Sequence, residues 1–63
     1  MTPVEYIAIA EALIKLIEDA PELKASVVNI VDWIHDLVVG HRDSTEEMVS
    51  RIKNMQAKVA LIK

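Results

Sequence analysis

The chain contains no cysteine and no phenylalanine, one glycine, two prolines and two aromatic residues, Tyr6 and Trp33. Without cysteine, neither a disulfide nor a thiolate zinc site can form. That matters for 63 residues, because chains this small usually complete their stability with a disulfide, a structural metal or a partner subunit. The same absence fits a reducing compartment, and the cytoplasm is the expected location. A lone glycine rules out a Gly-rich phosphate loop. No serine or threonine stands in a nucleophile motif, and so short a chain has little room for a water-excluding pocket. The expectation is therefore no enzyme, no catalytic residue, no cofactor and no small-molecule substrate.

A run of roughly 18 uncharged apolar residues, the minimum for a spanning helix, is also missing. The opening "MTPVEY" has no basic n-region and carries an acid at position 5, so no secretory leader is expected. Net charge is −3 and the isoelectric point lies near 5.2. An acidic chain lacks the basic stripe that binds phosphates, which argues against nucleic acid. A helix-turn-helix is not expected either, since the third helix does not open on a cluster of basic and amide residues.

What the chain has is aliphatic bulk. Hydrophobic residues make up 52% of the sequence, and mean hydropathy is +0.27. Disordered chains are poor in such residues, so an ordered domain follows. Three helices are marked by their ends. Thr2-Pro3-Val4-Glu5 reads as a capping box with proline at the first helical position, and the first helix runs to about Glu18. Pro21 disfavours helical geometry at Ala20, so Asp19 or Ala20 caps a second helix over 21–39. Gly40 fits the left-handed position that follows a helix end. "HRD" forms a short loop, and Ser44-Thr45-Glu46-Glu47 reads as a second capping box opening a third helix over 45–62. Short connections between helices of similar length favour antiparallel neighbours.

The spacing of the apolar residues supports this reading. Leu23, Val27, Ile30, Ile34 and Leu37 are spaced 4, 3, 4, 3. That is a helical stripe despite the β-branched Val27-Val28, Ile30-Val31 and Val38-Val39 pairs, which favour strands. Met48, Ile52, Met55, Val59 and Ile62 repeat the pattern in the third helix. Two matched stripes predict a hairpin of helices two and three packed along coiled-coil-like seams with axes near 20°.

The first helix is too apolar for its place. At 100° per residue, Glu5, Glu11, Lys15 and Glu18 share one side with Val4, Ala8 and Ala12. The opposite arc, from Leu16 and Ile9 through Leu13, Tyr6, Ile17 and Ala10 to Ile14 and Ile7, covers about 180°. A helix packed on a core usually needs little over 100°. One flank, Ile9/Leu16 or Ile7/Ile14, is left over. Helix two shows the same excess: Val28 and Val39 lie beside Lys24 and His35, and Trp33 lies on the other shoulder near Glu22, Ser26 and Asn29. The candidate protein-binding residues are therefore Ile7, Ile9, Ile14, Leu16, Val28, Trp33 and Val39. A polar face with three glutamates and one lysine argues against membrane-surface binding, which usually uses lysine and arginine.

Charge is uneven along the chain. Residues 1–47 carry −7, and residues 48–63 carry +4 from Arg51, Lys53, Lys58 and Lys63. Cations near a helix C-terminus complement its dipole, which is the first reading; beside it, they could attract the acidic N-terminal hairpin of a second copy. Asp32, His35 and Asp36 share a helix face with His41 and Asp43 nearby. His41 would have to fold back over more than a turn to complete a ligand set, so no metal site is expected.

The sequence thus predicts one all-α domain over 1–63. It is a three-helix bundle, a helical hairpin plus an over-apolar N-terminal helix, with its core completed by self-association. The expected function is a small protein-protein interaction or assembly module that forms a homo-oligomer through its first helix. The alternative is a small acidic inhibitor or regulatory protein that binds a larger protein target.

Overall fold

The computed structural model describes residues 2–62, and the chain is an all-α three-helix bundle. Helix α1 spans Pro3–Asp19, α2 spans Lys24–Gly40 and α3 spans Glu46–Leu61, with a 3₁₀ turn at Pro21–Leu23 before α2. No strand occurs among the described residues. Each helix packs against both others, and the molecule measures 34 × 19 × 15 Å. Helices α1 and α2 run antiparallel, as do α2 and α3, so α1 and α3 are parallel.

The first cap forms as its residues predict. The Thr2 hydroxyl accepts from the Glu5 backbone N–H at 3.3 Å, and the Glu5 carboxylate accepts from the Thr2 N–H at 3.4 Å. Together they satisfy donors that the first helical turn leaves unpaired.

The other helix ends differ from expectation. Ala20 takes the cap before Pro21, as one of the two residues expected there. But Pro21–Leu23 is a 3₁₀ turn and α2 itself starts only at Lys24, with Leu23 as its N-cap, instead of at position 21. The second capping box is absent. Thr45 is the N-cap of α3, accepting from the Met48 N–H at 3.3 Å. Counted from Thr45, the third helical residue is methionine rather than glutamate, so nothing reaches back to the cap. Ser44 instead donates its hydroxyl to the Val38 carbonyl. Gly40 does not take the left-handed position: it is the last residue of α2, with no positive φ. The Ser44 hydroxyl and the His41 N–H both satisfy the Val38 carbonyl, so the end of α2 is met without a left-handed turn.

The core is a single cluster inside one chain. Helix α1 contributes Ile7, Ala10, Ile14 and Ile17; α2 contributes Val27, Val31, Ile34 and Val38; α3 contributes Ile52, Met55 and Val59. Helix α3 follows its predicted stripe, with Met48 and Ile62 half-buried at the ends. Helix α2 does not. Of the expected Leu23, Val27, Ile30, Ile34 and Leu37, only Val27 and Ile34 are buried. Val31 and Val38 replace Ile30 and Leu37, a rotation of the inward face by about 50° at 100° per residue. The expected stripe assumed a hairpin seam, whereas α2 must face the space between two neighbours at once. Three valines and one isoleucine also let the neighbouring helices approach closely.

The accessible surface is 4284 Å², against about 4,100 Å² for a folded monomer of this mass. All eleven buried core residues come from this one chain, so one copy closes its own core, which corrects the expectation of a core completed by self-association. Ala10 is completely buried where α1 faces its neighbours. Ala10→Leu should cost about 1–3 kcal/mol by overpacking, read as a lower urea midpoint. Ala8→Leu, on the exposed side of α1, should leave the midpoint nearly unchanged.

Candidate protein-interaction surface

Two side-chain contacts mark how each helix is turned. Arg51 Nη2 lies 2.7 Å from Glu11 Oε1, joining α3 to α1. Gln56 Nε2 donates to Asp32 Oδ1 at 2.8 Å, joining α3 to α2. Both are exposed, and an ion pair with half-exposed partners contributes at most about 1 kcal/mol. Their value here is directional. The Glu11, Lys15 and Glu18 side of α1 is turned to α3, and an open groove between them is lined also by Ile14, Met55 and Lys58. The Val28, Asp32 and Val39 side of α2 is likewise turned to α3.

The opposite flanks of α1 and α2 therefore adjoin each other, away from α3. On α1 this flank carries Tyr6, Ile9, Leu13 and Leu16; on α2 it carries Leu23, Ile30, Trp33 and Leu37. Trp33 is 62% exposed, Leu16 48%, Ile9 and Leu23 39% and Ile30 38%, while Tyr6, Leu13 and Leu37 are half-buried. Eight large apolar side chains thus form one face across two helices. Scattered exposed apolar residues are ordinary on a monomer, whereas contiguous apolar patches of a few hundred Å² are often functional.

The seven candidate binding residues separate into three groups. Ile7 and Ile14 lie in the chain's own core at 1% and 4% exposure, where no partner can reach them. This corrects their assignment: the α1 flank left over is Ile9/Leu16, because the Ile7/Ile14 flank fills the space between α2 and α3. Val28 is half-buried beside Val31, Val59 and Ala60, and Val39 is exposed near Ser44 and Val49. Both belong to the α2–α3 seam, on the other side of α2 from Trp33. Only Ile9, Leu16 and Trp33 share the α1/α2 face. Sequence reasoning missed Leu23, Ile30 and Leu37 as surface residues by placing them in the hairpin seam. Their spacing with Trp33, at positions 30, 33 and 37, was the available signal.

The polar constellation assembles no ligand set. Among the described residues no group of three or more histidine, aspartate or glutamate side chains is placed to hold a metal ion. His35 Nδ1 sits 3.4 Å from its neighbour Asp36. His41 Nδ1 accepts from the Asp43 backbone N–H at 3.1 Å, holding the loop between α2 and α3. Among the described residues no helix is long and apolar enough to cross a membrane. No family model matches the chain, and comparisons with curated proteins and with solved structures give no match either.

Proposed function

We propose that this chain is a small protein-interaction module that self-associates through the α1/α2 face. The observation that carries the reading is that face itself, five exposed large apolar side chains with three half-buried ones among them, on a molecule that has already closed its core. A fully exposed large side chain offers roughly 150–250 Å², so the observed exposures leave about 500 Å² of largely apolar surface. Two such faces together bury about 1,000 Å², the lower bound for a specific interface. The surface is thus enough for a dimer of moderate affinity. Its cysteine-free composition suits a reducing compartment such as the cytoplasm.

Because each copy closes its own core, helicity should survive dissociation. The test is sedimentation equilibrium from low micromolar to millimolar protein, with circular dichroism on the same dilution series. A dimer in the micromolar range that dissociates with constant helicity is the expected result. A monomer throughout would overturn self-association.

A further inference from the structure

The helical charges around the α1/α2 face are all acidic, and Arg42 is in the loop between α2 and α3. Beyond Ile9 and Leu16 on α1 come Glu5 and Asp19. Beyond Ile30 and Trp33 on α2 come Glu22 and Asp36. All four acids are exposed. No lysine or arginine among the described helical residues lies on this rim. Lys15 and Lys24 stand on the flanks of α1 and α2 turned toward α3, and Arg51, Lys53 and Lys58 are on α3 itself. Lys63 lies outside the described residues.

This arrangement has a consequence that does not depend on a docking pose. An apolar face is covered well only by another apolar face. The outward side of α3 is instead polar, with Glu46, Glu47, Ser50, Arg51, Lys53, Asn54 and Lys58, and Leu61 near its end is its one exposed large apolar side chain. A second copy must therefore use the same α1/α2 patch, which makes the contact isologous. Whatever the angle between the copies about their two-fold axis, acids then meet acids at the rim. Like charges placed opposite each other oppose association, and mobile ions weaken that opposition when the Debye length shortens from about 30 Å at 0.01 M to about 10 Å at 0.1 M salt.

We infer that a second copy occupies the α1/α2 face in a symmetric, face-to-face dimer whose acidic rim makes assembly responsive to ionic strength. The dimer is restrained at low salt and released as cations screen Glu5, Asp19, Glu22 and Asp36. This inference rests on the self-association proposed above. Its sign is opposite to that of a head-to-tail assembly, in which the acidic N-terminal part of one copy would attract the basic C-terminal half of α3 in the next.

The experiment is the dimer dissociation constant of the full chain by sedimentation equilibrium in 10 mM and 300 mM sodium chloride, with Glu22→Gln/Asp36→Asn alongside. Wild type should associate about five- to tenfold more tightly at the higher salt, given a few tenths of a kcal/mol for each exposed like-charge contact. The neutralised variant should already be tighter at 10 mM and should show a visibly smaller salt response. An equal salt response in both proteins would assign the effect to apolar salting-out and overturn the rim's role. A wild-type dimer that loosens as salt rises would overturn the symmetric arrangement in favour of acid rim against basic α3. A chain monomeric to millimolar at both salts would instead overturn self-association itself, leaving the acid-rimmed face to a basic helix of another protein.

Discussion

Ile7→Glu should abolish the cooperative fold, whereas Ile9→Glu, two residues away, should leave it standing. Ile7 is 1% exposed and sits among the side chains of all three helices; Ile9 is 39% exposed. A glutamate at position 7 loses the roughly 1.5–3 kcal/mol that burying an isoleucine contributes. It must also either stay ionised without a partner or take up a proton at neutral pH, a cost of about 3–5 kcal/mol. The described residues contain no buried polar or charged side chain, so none is present to pair with it. The combined loss equals or exceeds the net stability of a small domain, about 5 kcal/mol. At position 9 the carboxylate points to water beside Glu5, and the expected cost is below about 1 kcal/mol. Far-UV circular dichroism with urea titration at low micromolar protein reads both. Two folded variants, or two unfolded ones, would refute this rotation of α1.

The second large effect concerns association rather than folding. Trp33→Ala should weaken the dimer about thirty- to a hundredfold, the scale of an interfacial tryptophan worth about 2 kcal/mol or more. The melting temperature of the dissociated monomer should hardly move, because Trp33 is 62% exposed and contributes nothing to the core cluster. Trp33 is also the sole tryptophan, so the wild-type emission maximum should shift to shorter wavelength as protein concentration rises. Val39→Ala is the matched control. It removes a side chain of similar exposure, 52%, from the α2–α3 seam and should leave the dissociation constant unchanged. If Val39→Ala weakened association as much as Trp33→Ala, the interface would lie on α3's side of α2. A tryptophan emission independent of concentration would argue against any contact at Trp33.

The two tests probe what periodicity leaves open. The ends of α1 were legible because Thr2, Pro3 and Glu5 make a local cap that needs no tertiary partner. The inward face of α3 was legible because its apolar stripe is narrow, so only one rotation buries it. Ser44 and Gly40 were misread for the opposite reason. Each belongs to a short motif that a longer-range contact displaced, here the hydroxyl of Ser44 on the carbonyl of Val38, six residues earlier.

The sequence by itself determined that there are three helices, nearly where they begin and end, which face of α3 points inward, and that the chain carries more apolar surface than one copy can bury. Only the tertiary structure decided where that surplus lies. Helical spacing places residues around one axis but does not say how far the helix is turned about it. A stripe about 100° wide has one favourable rotation, whereas the 180° arc of α1 and the two apolar shoulders of α2, one with Val28 and Val39 and one with Trp33, allow several. The choice falls to the neighbours. Packing all three helices on one apolar cluster turns Ile7, Ile14, Val31 and Val38 inward, and the exposed Glu11–Arg51 and Asp32–Gln56 contacts mark the outcome. Ile9, Leu16, Ile30 and Trp33 are thereby left together on the outside.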